Sequence, residues 1–256
     1  SGNWTQIGST LFPPNSSDDF GFSVSINYDG SVIVIGSRTN NSGIITSGLV
    51  EVYENISNSW FQIGNDIYGD GQYDNFGFSV SIDSTGNIIA IGARYDRSDP
   101  INTGYVKIYE NISGSWLLIG NKIKGQADND QFGWSVSINS NGNVVAIGAP
   151  YNNNNYNFGQ VSIYENISNN WALVGYPIYG NQNSGFGRSV SINNLGNIVA
   201  VGSPYSNPLN PSYTNGIISV YENFSNFWLI KGQPISLENY SGSNANFGSA
   251  LSISGD

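Results

Sequence analysis

The chain has neither His nor Cys. That removes the Ser–His and Cys–His pairs behind most nucleophilic catalysis, and the usual transition-metal ligands with them. Carboxylates remain. Asp18, Asp74 and Asp130 each stand two residues before a Phe-Gly pair, so in a repeated fold they would ring one face. Such a ring could ligate a hard cation through oxygen, or supply the two carboxyls, about 5–10 Å apart, of glycosidase-like acid/base work. A plainer role competes: an Asp at a fixed place before a strand closes an Asx-type turn with nearby backbone. The next two copies carry Ser184 and Ala245 there instead. The turn is the reading adopted, with a metal at these positions the weak alternative and no catalytic residue assigned.

A second group is Arg94, Tyr95, Asp96, Tyr151, Tyr156 and Tyr205, which fall in segments of varied length and content. Tyr joins apolar area to a hydroxyl, so tyrosines set among Asn, Asp and Arg suit a polar ligand, a protein or carbohydrate surface. In the competing reading these tyrosines only cover the ends of the sheets beneath them. A third group is the Asn-x-Ser triplets at Asn55, Asn111, Asn166 and Asn223, which recur at one place in each copy. They are glycosylation candidates if the chain is secreted, and duplication of an Asn-rich turn explains them equally well.

The elements that place these groups follow from a repeat. Phe-Gly recurs at Phe20, Phe76, Phe132, Phe186 and Phe247, at intervals of 56, 56, 54 and 61 residues, and Trp4, Trp60, Trp116, Trp171 and Trp228 keep the same beat. Each period holds four short strand-like runs bounded by Gly, Asn, Ser or Asp, in the second copy Phe78 to Ile82, Ile88 to Ile91, Tyr105 to Tyr109 and Trp116 to Ile119. We name them a, b, c and d. Run b is apolar throughout, which requires cover on both of its faces. Sheets stacked radially against copies of themselves supply that cover. Run a alternates large residues with Ser, as a strand near the convergence point would. The a–b and c–d turns are nearly constant in length, whereas the b–c and d–a connections vary. One face of the disc is standardised and the other diversified.

The run Phe-Gly-x-Ser-Val, followed by Ile-Gly-Ser-Arg, Ile-Gly-Ala-Arg, Ile-Gly-Ala-Pro and Val-Gly-Ser-Pro, resembles the FG-GAP repeat, the unit of integrin α-subunit propellers and of many secreted, surface and viral proteins. The resemblance implies an all-β propeller of four-stranded antiparallel blades. It has four complete repeats (about 20–75, 76–131, 132–185 and 186–246), a lone N-terminal strand d within 1–19 and a lone C-terminal strand a within 247–256. It also implies an extracellular or surface location. The integrin version carries an Asp-x-Asp-x-Asp-Gly calcium loop between a and b. Here Asn27-Tyr28-Asp29-Gly30 has one carboxylate, the second copy has Asp83 alone, and the third and fourth have none, so no cofactor is expected and calcium is not favoured.

The two lone end strands leave open edges, which natural sheets usually protect. The expectation is a piece of a longer propeller; nonstandard pairing of the ends and strand exchange between copies are the other resolutions. Eighteen acidic against eight basic residues give a net charge of −10 and no footprint for nucleic acid. No apolar run of about 20 residues exists to enter a bilayer. With no reactive side-chain system, the sequence reads as a non-enzymatic binding or adhesion module using its variable face. A filament or coat subunit assembled through its terminal strands is the alternative, with possible self-association, and a glycan-active hydrolase comes a distant third.

Overall fold

The computed structural model describes residues 3–13, 18–39, 46–152, 158–206, 215–236 and 245–255, and Tyr156 lies outside them. The first blade contains β1 (Phe20–Ile26), β2 (Val32–Ser37), β3 (Leu49–Ile56), β4 (Ser59–Gln62) and β5 (Ile67–Tyr68). The second contains β6 (Phe76–Ile82), β7 (Ile88–Ala93), β8 (Tyr105–Ile112), β9 (Ser115–Leu118) and β10 (Ile123–Lys124). The third contains β11 (Ser135–Ile138), β12 (Val144–Ala149), β13 (Gln160–Ile167), β14 (Asn170–Leu173) and β15 (Ile178–Tyr179). The fourth contains β16 (Ser189–Ile192), β17 (Ile198–Ser203), β18 (Ile217–Phe224), β19 (Phe227–Ile230) and β20 (Ile235–Ser236). Each blade is antiparallel in the order a–b–c–d, and its outer strand d is broken into two pieces that both pair with strand c, as β4 and β5 do with β3. No helix occurs among the described residues. The fold is a β-propeller of four-stranded blades.

The apolar strands b do what their composition demands. Val34, Ile89, Ile91, Val145, Ile147, Val199 and Val201 are fully buried, in three cores that each lie between one blade and the next. Where blades converge, side chains give way to backbone. A Cβ on Gly92 would lie 2.2 Å from the Gly133 carbonyl oxygen of the next blade, and Gly148 repeats the clash with Gly187 at 2.0 Å. The Gly of each Phe-Gly pair holds φ near +80°, for example 81° at Gly77 and 85° at Gly133, a region closed to most side chains. These two glycines explain the Phe-Gly and Ile-Gly signatures.

The strand a serines do more than stay small. Ser23, Ser79 and Ser135 donate from Oγ to the carbonyls of Gly77, Gly133 and Gly187, one blade ahead, at 2.7–2.8 Å. The second serine of each strand, Ser25, Ser81 or Ser137, accepts the amide of Ile82, Ile138 or Ile192. Hydroxyls thus pair inner-edge backbone groups that no ladder reaches. The repeated Trp also differs from a pure core residue. Its indole N–H donates to a carbonyl of the preceding strand d at 3.0–3.1 Å, Trp116 to Ile63, Trp171 to Ile119 and Trp228 to Val174. It is a rim tie between blades.

Both end segments hold blade positions through the same bonds without forming ladder-paired strands. Trp60 donates to Ile7 O at the N-terminal end. At the other end Ser189 donates to Gly248 O, and Ile253 N donates to Ser191 Oγ.

Candidate functional site

Strand a begins, and strand b ends, on the face that carries the variable b–c and d–a connections. The x residue of Phe-Gly-x-Ser-Val therefore projects at the mouth of the inner strands, and in the four blades it is Phe22, Phe78, Trp134 and Arg188. These residues form a ladder across blades. Phe22 and Phe78 rings are 5.0 Å apart, Phe78 and Trp134 4.7 Å, and Tyr151 meets Trp134 edge-on at 5.7 Å.

Guanidinium groups lie on this ladder. Arg38 stands 4.2 Å over Phe22; Arg94 is 4.7 Å from Phe78 and 5.6 Å from Trp134; Arg188 is 4.6 Å from Trp134 and 5.3 Å from Tyr205. Arg94 and Arg97 both stack on Tyr95, and Arg188 donates to Tyr151 Oη at 3.4 Å. All four arginines of the chain are thus on one face. Each cation–π contact contributes roughly 0.5–2 kcal/mol and, more usefully here, fixes a long side chain.

In the first two blades the residue before Phe-Gly orients the arginine that follows strand b. Arg38 Nε donates to Asp19 Oδ2 at 2.7 Å, and Arg94 Nε to Asn75 Oδ1 at 2.9 Å. Asn75 links the two blades by donating from Nδ2 to Arg38 O at 3.2 Å. Asp19 and Arg38 stay partly open to solvent. Arg94 is half-buried, its pKa drawn down by burial and by the nearby Arg38 charge, and its bonding partner is a neutral amide. A carboxylate and guanidinium groups on an aromatic floor can position a water, draw off its proton and stabilise a developing oxyanion.

Of the residues singled out from sequence, the structure brings Arg94, Tyr95, Tyr151 and Tyr205 together at this mouth. It takes Asp96 elsewhere: that side chain is fully buried, 2.9 Å from Lys122 and 3.6 Å from Lys124. Burial opposes its ionisation, but Ser98, Lys122 and Lys124 hold its pKa below the usual carboxylate value. Lys122 also reaches Asp70, and Lys107 bonds Asp70. Asp96 is an anchor of a lysine-rich rim, not part of the mouth.

Asp74 accepts from Gly71 N, Arg97 N and Tyr105 Oη at 2.7–3.0 Å; burial raises its pKa against those bonds. Asp130 accepts from Gln126 N and Ala127 N, and Asp18 is buried as well. Among the described residues no three acidic groups converge as a metal site. The a–b hairpins do not fit a calcium ion either. Both oxygens of Asp83 are taken by Thr85, Asn87 and Ile88, and in the other three copies the position is a neutral Asn bonding the turn. The Oδ1 atoms of Asn55, Asn111, Asn166 and Asn223 accept the amide three residues on, so each caps its c–d hairpin. A cavity of about 400 Å³ beside Tyr179, Phe186, Tyr221 and Pro234 has no charged side chain in its lining.

Sequence reasoning missed Phe22, Phe78, Trp134, Arg188 and Asp19. The signal was present: x is the position that changes within an otherwise fixed run.

Residues 124–164 match the model of the FG-GAP repeat family. That stretch is an FG-GAP repeat. The other blades of the propeller repeat its strand order and its glycines in register. No curated protein sequence matches the chain. Among solved structures it is similar to a periplasmic gluconolactonase of Pseudomonas aeruginosa (13% identity, TM-score 0.58, covering 86% of this chain and 59% of that one). It is also similar to candidate 6-phosphogluconolactonases of Bacteroides fragilis (13%, 0.57, 89% and 55%) and Bacteroides uniformis (13%, 0.55, 90% and 59%). The chain spans less than two thirds of those structures.

These neighbours carry the names of hydrolytic enzymes, and they overturn the expectation of a non-enzymatic adhesion module and its filament-subunit alternative; nothing in the comparisons points to adhesion. A lack of His and Cys does not by itself amount to a lack of chemistry. Opening an activated ester needs no side-chain nucleophile, only a base for water and a charge for the oxyanion.

Proposed function

We propose that this protein hydrolyses cyclic esters of the sugar-lactone class at the mouth of its inner strands. The observation that carries the reading is the Asp19–Arg38 pair, 2.7 Å apart and open to solvent on the aromatic floor, in a fold whose solved neighbours are named lactonases. Asp19 takes a proton from water as the water oxygen attacks the ring carbonyl carbon. The Arg38 guanidinium faces the oxyanion of the tetrahedral species. Collapse breaks the ring C–O bond, and the departing alkoxide recovers the proton from Asp19, giving a hydroxy acid. The aromatic faces of Phe22, Phe78 and Trp134 suit the C–H face of a sugar ring. The scheme uses no cofactor, and a chelator should leave the rate unchanged. An extracellular or periplasmic setting accords with the FG-GAP repeat and with the periplasmic neighbour.

The test is a pH-stat assay over a panel of aldonolactones. The wild-type protein should open at least one faster than buffer, and Asp19→Asn should lower that rate about 10²–10⁴-fold. Arg38→Gln should reduce kcat more than it raises KM. A wild-type rate equal to buffer across the panel, or full activity in Asp19→Asn, defeats the proposal.

A further inference from the structure

The basic side chains of this acidic chain are not distributed as neutralisation would place them. With eighteen carboxylates for eight cations, each Lys and Arg could find a partner, and among the described residues Arg38, Lys107, Lys122, Lys124 and Lys231 do. Arg94, Arg97 and Arg188 have no carboxylate within 4.0 Å among the described residues. All three sit at the mouth. Arg94 and Arg188 share one ring, Trp134, at 5.6 and 4.6 Å, and their polar contacts are neutral, Asn75 Oδ1 and Tyr151 Oη.

Leaving a half-buried guanidinium without a counter-charge is costly unless a ligand supplies one. The arrangement is also rigid. Arg94 is held by Asn75 through Nε and flanked by Phe78, Tyr95 and Trp134, while Arg188 lies against Trp134 and Tyr205. Little side-chain entropy is then lost on binding, and the Nη donors other than the one Arg188 gives to Tyr151 offer the fork geometry that matches planar carboxylate or phosphate oxygens. The blade-to-blade differences point the same way. Where the first blade has Asp19 to neutralise its arginine, the second has neutral Asn75, and the fourth places Arg188 at x beside a Gly185 that can offer no acid.

We infer that Arg94 and Arg188 form an anion subsite for an oxyanion carried by the ligand, a carboxylate or a phosphate ester on a sugar-sized molecule. The inference rests on the lactonase reading only for naming what else that molecule carries; the subsite itself is a binding property of the free protein. The two possible sources share their chemistry and are told apart by the probes.

Isothermal titration of the intact protein at low ionic strength with gluconate, glucose 6-phosphate, inorganic phosphate and glucose gives the test. At least one sugar anion should bind ten times or more tighter than glucose, with affinity falling as NaCl rises. The stronger of gluconate and glucose 6-phosphate identifies the group. Arg94→Gln and Arg188→Gln should each weaken that anion tenfold or more and leave glucose unchanged. Arg188→Lys, which keeps the charge but not the fork, should fall between wild type and Gln. Equal binding of anions and glucose, or Gln variants that bind the anion like wild type, overturns the subsite. If the anion binds through both arginines while no lactone in the panel is opened, the hydrolase reading fails and the subsite stands; if a lactone is opened but sugar anions bind no tighter than glucose, the reverse holds.

Discussion

Glu51 shows how one repeat position is reused. It is nearly inaccessible, accepts a 3.0 Å bond from Tyr53 Oη, and leaves Oε2 without a hydrogen bond. Burial raises its pKa above the usual Glu value, with Tyr53 opposing and Asp66 and Asp18 adding to the rise. The same place in the second blade is Lys107, bonded to Asp70, and in the third and fourth Ser162 and Ser219. For an acid whose folded pKa is raised, the protonated form is favoured by folding, so its contribution is best below the unfolded pKa and is lost as pH rises through the folded one. Glu51→Gln keeps an acceptor for Tyr53 without the buried charge. Its melting temperature should exceed wild type by a few degrees at pH 7.5 and converge with it near pH 3.5; equal melting at both pH values would refute the burial argument.

Strand a is where the repeat signature becomes mechanical. Ser79→Ala leaves the Gly133 carbonyl without its donor, which costs about 1–3 kcal/mol for a buried acceptor. Gly92→Ala is harsher, because the new Cβ meets both Gly133 O at 2.2 Å and Ser79 Oγ at 2.3 Å, and backbone must move. Urea titration should rank wild type above Ser79→Ala and Ser79→Ala above Gly92→Ala. A Gly92→Ala midpoint equal to wild type would show that blades are not in backbone contact there. The elements themselves were legible in sequence because each was written four times. The second piece of strand d was not, since Ile67–Tyr68, Ile123–Lys124, Ile178–Tyr179 and Ile235–Ser236 are too short to show a period. That gap hid the partner of Asp96: Lys122 and Lys124 flank Ile123 on β10, so Asp96 read as free to bind a ligand. Arg94 and the three tyrosines of the mouth could be found from loop position alone. The ladder could not, because Phe22, Phe78, Trp134 and Arg188 meet only after blades some 55 residues apart are stacked.

Across the molecule, stability should follow neighbours. Val80 and Ile82 are covered, at 9% and 7% exposure, by the blade before them, whereas Val24 and Ile26 in the first blade are 60% and 56% exposed. At the other end Ile235 is 54% exposed although its counterparts Ile67, Ile123 and Ile178 are buried. In a stack where each unit contacts only the next, stability is a sum of unit and interface terms, so in this 256-residue chain the second and third blades have two interfaces each and the outer blades one apolar interface plus an end segment. Local opening should begin outside. Hydrogen exchange read by mass spectrometry should show peptides covering β7, β8 and β12 exchanging at least tenfold more slowly than those covering β1 and β19. If all strands instead exchange at one rate set by global unfolding, the blades act as a single cooperative unit and the end segments, Ile7 on Trp60 and Ile253 on Ser191, seal the arc as firmly as a whole blade.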